Sequence, residues 1–234
     1  MPRMGRLVIS NYPHHVIHRG HNRQPVFAGD DDYRYYLDNL AEWKVNLDCR
    51  LYAYCLMTNH IHLVVDPGDD PESLAKLMKR VASRHTRYVN RIESRSGTLW
   101  EGRYRSSIIC DDAYLLACCR YVEMNPVRAQ MVSHPAEYRW SSYGEKTGEG
   151  LGIVDPDPAF LGLAEDEERR KRAYERWVLS AAPEGEWARI GKAALRGHLT
   201  GNHQHEEEVA EKLGVRLEMK KPGRPRKLLN RRED

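Results

Sequence analysis

A chain of 234 residues is long enough for one domain with an extension, or for two small domains, and for a real buried core. Hydrophobic residues at 41% and charged residues at 30% describe a soluble globular chain on the polar side, and exclude a membrane or low-complexity protein. The net charge of +3 says little alone, but basic residues crowd 76–95, 103–105 and the C-terminal tail, the kind of patch a phosphate backbone would meet.

Five scattered cysteines, odd in number and with no Cys-x-x-Cys, argue against a disulfide scaffold or zinc ribbon and fit a reducing compartment. The sequence shows no apolar signal core and no run near the roughly 18 apolar residues that span a membrane, so a cytoplasmic protein with no membrane partner is expected.

Val16-Ile17-His18 reads as a short strand entering the loop Arg19-Gly20-His21-Asn22-Arg23, where Gly and Asn suit positive φ. Asp30 or Asp31 is placed to cap a helix over 33–47, with an apolar stripe through Tyr36, Leu37, Leu40 and Trp43. Two β runs follow at 51–57 and 60–65, joined by Thr58-Asn59 as an antiparallel hairpin. After Pro67-Gly68-Asp69-Asp70-Pro71, a helix over 72–92 buries Leu74, Leu77, Met78 and Val81 and carries Lys76, Lys79, Arg80, Arg84, Arg87 and Arg91 on much of its remaining surface. Such a basic face is either solvated or meets nucleic acid.

A closing strand lies within 100–109, best over 107–110, and Asp111 caps a helix over 113–124 that Pro126 ends. The order strand, helix, strand, strand, helix, strand predicts an α+β fold, a ferredoxin-like βαββαβ antiparallel sheet with the 112–124 helix added and a C-terminal helical extension. Residues 144–157, rich in Gly, Asp and Pro, read as a linker, and helices are expected over 165–181, 186–195 and 203–212. The expected division is 1–145, a helical accessory region 146–215, and a disordered basic tail 216–234.

Residues two apart on a strand point to one face, so His60 and His62 present two imidazoles side by side. Neutral imidazole binds divalent transition metals, but a bare His-x-His suits a half-buried polar strand equally well.

His60-Ile61-His62, followed by Tyr121-Val122-Glu123-Met124-Asn125-Pro126-Val127-Arg128-Ala129, resembles the single-tyrosine (HUH) transposases of the IS200/IS605 type, nearest to REP-associated tyrosine transposases. The resemblance spans about 12–143 and includes His18-Arg19-Gly20-His21-Asn22-Arg23-Gln24-Pro25-Val26-Phe27 and Leu99-Trp100-Glu101-Gly102-Arg103-Tyr104. It implies a strand metal site at His60 and His62 for Mg²⁺ or Mn²⁺, Asn125 in the place of a third ligand that is glutamine in many relatives, and Tyr121 as the nucleophile. Tyr121 and Asn125 share a helix face; Tyr114, two turns earlier, is the rival nucleophile.

The implied reaction is metal-dependent transesterification of single-stranded DNA near hairpins, through a 5′-phosphotyrosine and without ATP; no Walker-type motif occurs. DNA contacts are expected from Arg19, Arg23, Arg103 and Arg105, with Trp100 and Tyr104 stacking on bases or touching backbone. The tail residues Lys220, Lys221, Arg224, Arg226 and Lys227 surround a Gly-Arg-Pro that resembles an AT-hook, a motif for the narrow minor groove of A·T-rich duplex. The resemblance implies a monomer or a homodimer, associated with the nucleoid. Two other readings stay open: a hairpin-binding protein of the same fold without cleavage, and a hydrolase that activates water.

Overall fold

The computed structural model describes residues 7–201 and 203–212. The first strand, β1 (His14–Arg19), leads into α1 (Asp30–Asn46); β2 (Arg50–Met57) then turns back through Thr58 and Asn59 as β3 (His60–Asp66). α2 (Glu72–Ile92) returns the chain to β4 (Arg105–Ile108), completing the predicted βαββαβ order. The strands lie in the order β2-β3-β1-β4 and every neighbouring pair is antiparallel, as a ferredoxin-like sheet requires.

The loop after β1 is fixed by backbone rather than by side chains. Gly20 donates to Asn59 O, and Val26 donates to Thr58 O, tying the loop to the hairpin turn. Gly20 itself is extended; a Cβ there would come within 2.3 Å of Gln24 O, so close approach excludes any larger residue. The left-handed angles fall on Asn22, as its residue type suits, and on Arg23, at φ 50° and 59°. Gly29 caps α1 in place of the expected aspartates, while the Asp32 carboxylate accepts from the Ala28 and Gly29 N–H groups.

Period-two alternation separates the two sheet faces. Val16, Ile61, Leu63 and Val65 face α1 and α2 and are buried with Leu37, Leu40, Leu74 and Val81, each worth roughly 1.5–3 kcal/mol on burial. His18 stacks on Trp100, with ring centroids 4.2 Å apart, and Trp100 Nε1 donates to Ala82 O. Trp100 and Tyr104 are 5% and 7% exposed, so these aromatics are core and do not offer platforms to bases.

The other face carries α3 (Asp112–Glu123), capped by the Asp111 carboxylate on Tyr114 N as the sequence predicts. A single turn, α4 (Asn125–Arg128), follows. The chain continues through α5 (Tyr143–Thr147), α6 (Pro158–Leu161), α7 (Glu167–Leu179), α8 (Glu186–Arg196) and α9 (His203–Lys212). α8 packs on β4, β1 and α3, the face that carries His60 and His62.

Residues 144–157 are not a free linker. Asp155 N donates to Leu51 O, and its carboxylate accepts from Leu51 N and Lys44 Nζ. Leu56 N donates to Trp140 O and Ser142 N to Tyr54 O, so the chain lines the outer edge of β2. At the other edge Thr200 N donates to Ile108 O and Cys110 N to Thr200 O. The tyrosine helix is tied to this extension by buried charge. Glu123 accepts from the hydroxyls of Ser142 and Tyr174, with Lys146 and Asp157 alongside. Arg120, fully buried, pairs with Glu186 at 2.7 Å and lies over the Trp177 ring. No helix among the described residues is long and apolar enough to cross a membrane.

Candidate active site

The cleft begins with strand register. His60 lies opposite Arg19 and Met57, and His62 opposite Ile17 and Cys55, so these side chains share one face of the sheet. The two imidazoles meet edge to face with centroids 5.0 Å apart. Asn59 holds the first: its Nδ2 donates to Arg23 O, which turns its Oδ1 to accept from His60 Nδ1 at 2.7 Å. The proton of His60 is thereby fixed on Nδ1, leaving Nε2 with a lone pair.

His62 is held by a residue the sequence did not single out. His15 Nε2 lies 3.0 Å from His62 Nδ1, with the rings stacked. The far nitrogen of His15, Nδ1, is buried and has no hydrogen-bond partner among the described residues. Burial disfavours the charged imidazole throughout this row. It lowers His15 from about 6.5 to about 3, and lowers His60, beside the Arg19 cation, to about 4. His62 is held well below the usual value by burial first, and then by the row of basic groups around it, His15, His60, Arg128 and Arg19, beside which a further positive charge is disfavoured. Both histidines of the motif are therefore neutral near pH 7, the state a cation requires of a ligand.

Tyr121 completes the row from α3. Its ring is edge-on to His15 and His62, at 5.4 and 5.9 Å, within one chain. One turn on, Asn125 Nδ2 donates to Tyr121 O and Val122 O, closing the last turn of α3. Both partners are acceptors, so the amide keeps Oδ1 as its remaining group. Tyr121, Asn125, His60 and His62 line one cleft of about 290 Å³, together with Arg19, Arg128 and, from α8, Gly191 and Leu195.

Among the described residues no three His, Cys, Asp or Glu side chains converge as a metal cluster. A cation here would take two imidazole nitrogens and an amide oxygen. That mixed nitrogen and oxygen set would suit a hydrated Mg²⁺ or Mn²⁺.

The other expected residues are dispersed. Tyr114 does not line the cleft; its hydroxyl accepts from Arg189 on α8. Arg105 donates to Leu195 O, closing the C-terminal turn of α8. Arg23 and Arg103 are exposed and lie outside the cleft lining. Lys220, Lys221, Arg224, Arg226 and Lys227 lie outside the described residues. The basic helix α2 packs on the opposite sheet face, and part of its charge is engaged: Arg84 pairs with Glu42, and Lys76 with Asp70 and Glu72.

The family model described as "Transposase IS200 like" matches residues 8–125, just over half of the chain. A solved structure of a REP-associated tyrosine transposase bound to a REP hairpin superposes with TM-score 0.55 at 14% identity, covering 68% of this chain and 93% of that one. A crystal structure from Deinococcus radiodurans R1, described as that of a transposase, gives TM-score 0.37 at 19% identity, covering 50% of this chain and 92% of that one. No curated protein matches the chain. The family match, carried by the segment that holds both cleft histidines and Tyr121 on a ferredoxin-like sheet, establishes that the chain belongs to the IS200-like transposases.

Proposed function

We propose that this chain cuts and rejoins single-stranded DNA near hairpins, using Tyr121 as nucleophile and a divalent metal, Mg²⁺ or Mn²⁺, held by His60, His62 and Asn125. The observation that carries this reading is the convergence of these four residues, from β3, α3 and α4, on one cleft. The cation, when bound, supplies Lewis-acid polarisation of a non-bridging phosphate oxygen. Two imidazoles by raw affinity favour softer metals, so cellular availability enters the choice.

The protein's own groups position the reaction. To offer Nε2, neutral His62 must carry its proton on Nδ1 and donate to His15, which makes His15 its orienting partner. The Tyr121 oxygen attacks phosphorus, the bond to the 3′ oxygen breaks, and the phenol proton ends on the leaving 3′-hydroxyl. A 5′-phosphotyrosine results, and the reverse attack by a 3′-hydroxyl rejoins the strand with no nucleotide cofactor. A phenol is a weak nucleophile at its free pKa of about 10, so alignment and phosphate neutralisation must supply the rate.

Arg19, in the cleft, and the exposed Arg23 and Arg103 are proposed phosphate contacts. The basic tail is proposed to add affinity, including for A·T-rich duplex. The similar solved protein is bound to a REP hairpin, which supports hairpin-bearing DNA as the partner here. In this reading residues 1–145 carry the chemistry, 146–215 support it, and the chain works at the nucleoid in the cytoplasm as a monomer or homodimer.

The test is incubation of the full chain with end-labelled hairpin-bearing single strands and Mn²⁺. A protein-linked band that survives denaturation, and that disappears with Tyr121→Phe, is expected. Tight hairpin binding without cleavage would make the chain a binding protein; cleavage without a linked band would make it a water-activating hydrolase.

A further inference from the structure

Several arginines surround α3 and α8, and most are engaged. Arg120 pairs with Glu186, Arg105 donates to Leu195 O, and Arg189 donates to Tyr114. Arg128 is held differently. Its guanidinium lies over two ring faces, 4.7 Å from the centroid of Tyr121 and 4.4 Å from that of Trp187. Among the described residues it has neither a carboxylate within ion-pair distance nor a hydrogen-bond acceptor. Cation–π contact fixes a guanidinium in place yet leaves its five N–H donors unspent.

That cation lines the cleft with Tyr121, His60, His62 and Asn125. A planar fork of donors, held beside the nucleophile and lacking an internal acceptor, matches the oxygens of a phosphodiester. The second ring comes from far along the chain. Trp187 stands in the first turn of α8, and its Nε1–H is buried without an acceptor among the described residues, so what the indole offers here is its face.

We propose that Arg128 grips the phosphodiester that enters the cleft, and that Trp187 is its positioning residue, so that the C-terminal extension supplies part of the reaction centre. The inference rests on the reading of the cleft as a site of phosphoryl transfer. It assigns one further substrate contact and gives α8 a task beyond packing.

Two measurements on the full chain separate this from its premise. The first is equilibrium binding of a fluorescent hairpin-bearing single strand across a salt series, in a Tyr121→Phe background without metal. The second is the rate of Tyr121–DNA adduct formation at saturating DNA, in a Tyr121 background with Mn²⁺. Arg128→Gln should flatten the log–log salt slope by about 0.7, the value of one contact to a single strand. It should slow the adduct on the order of 100-fold, as loss of a preorganised donor does. Arg128→Lys should restore the slope but not the rate, since an ammonium lacks the fork. Trp187→Phe should keep both, and Trp187→Leu should slow the adduct while circular dichroism still shows a cooperative melt. An Arg128→Gln variant with the wild-type slope and rate overturns the assignment, and a Trp187→Leu variant with the wild-type rate overturns the positioning role. If the wild type forms no adduct, the salt slope still judges Arg128 by itself.

Discussion

The Tyr121 hydroxyl rests against the bare backbone of Gly191, so near that a Cβ built there would lie 2.9 Å from the oxygen. Tyr121 belongs to α3 and Gly191 to α8. A glycine inside a helix costs about 1 kcal/mol relative to alanine, and at this position it gives the phenol its room.

Gly191→Ala is therefore expected to act in opposite directions on folding and on chemistry. Helix propensity favours alanine, while its methyl displaces the phenol oxygen. Urea denaturation should show stability changed by no more than about 1 kcal/mol, while the rate of Tyr121–DNA linkage falls at least tenfold, since small misplacements of a reacting atom are costly. In a Tyr121→Phe background the same alanine should be better tolerated than in wild type. Equal linkage rates with glycine and alanine would show that the phenol can move aside without loss.

Tyr114→Phe should leave the adduct intact, because the Tyr114 hydroxyl is spent on Arg189 and lies outside the cleft. Peptide mapping of the linked protein should find DNA on the peptide bearing Tyr121 in this variant, as in wild type. DNA on any other residue would count against the arrangement described for α3.

Much of this was legible in the sequence where local rules decide. The hairpin turn at Thr58-Asn59, the shared face of His60 and His62 and the Asp111 cap all follow from strand period and capping, whereas Pro126, expected to end the helix, lies inside α4, and α3 ends two residues before Asn125 at Glu123. His15 was not, because its contact with His62 depends on the β1–β3 register, which no local pattern states. Arg128, Trp187 and Gly191 meet only because α8 folds back across the sheet face, a tertiary event about 60 residues after α3. The 144–157 segment misled for a related reason. Its Gly, Pro and Asp content signals a loop, and a loop it largely is, but one whose polar groups are spent on β2. Trp100 and Tyr104 read as exposed platforms from their basic neighbours, yet alternation and packing turn them inward.

Metal affinity should depend on His15 although it is not a ligand. His15→Phe removes the partner of His62 Nδ1 and should weaken Mn²⁺ binding about 10–100-fold, the usual effect of losing an orienting partner. His15→Gln, which offers an acceptor oxygen, should recover part of it. His60→Ala and His62→Ala should lose more than either. Mn²⁺ titration followed by electron paramagnetic resonance reads this without any cleavage, and an unaltered affinity in His15→Phe would remove His15 from the site.

The buried histidines also set an acid limit on the fold. Burial lowers His14 to about 4 and His15 to about 3. The unfolded chain protonates both near pH 6.5, so between that value and the folded values it binds more protons than the native state. Their contribution is fully present above pH 6.5 and is lost as the pH falls through about 4 and then 3, at up to about 1.4 kcal/mol per pH unit for each histidine. Urea midpoints at pH 7.5, 5.5 and 4.5 should fall steadily in wild type and more gently in His15→Gln. Parallel curves would mean that other groups govern acid unfolding.

Lys146 is the cation of the buried cluster beneath α3. Burial opposes its charge, but the surrounding acidic groups, Glu123 and Asp157 among them, raise its pKa above the usual lysine value. Lys146→Met leaves those carboxylates buried without a counter-charge and should cost about 3–5 kcal/mol. The triple variant Glu123→Gln, Asp157→Asn, Lys146→Met should recover much of that loss in the same denaturation assay. A single variant as stable as wild type would show that water reaches the cluster.

The closed rim of the sheet bears on how copies of this chain meet. Trp140, Ser142 and Asp155 occupy the backbone groups of β2 that would otherwise template another strand, and Thr200 takes the corresponding place beside Ile108. Open strand edges invite pairing between molecules, and chains that cover them withdraw that route. A second copy cannot lengthen the sheet at β2 by adding a strand, so self-association there would have to be built from side chains, and the rim resists edge-to-edge aggregation at the concentrations of a crowded cell.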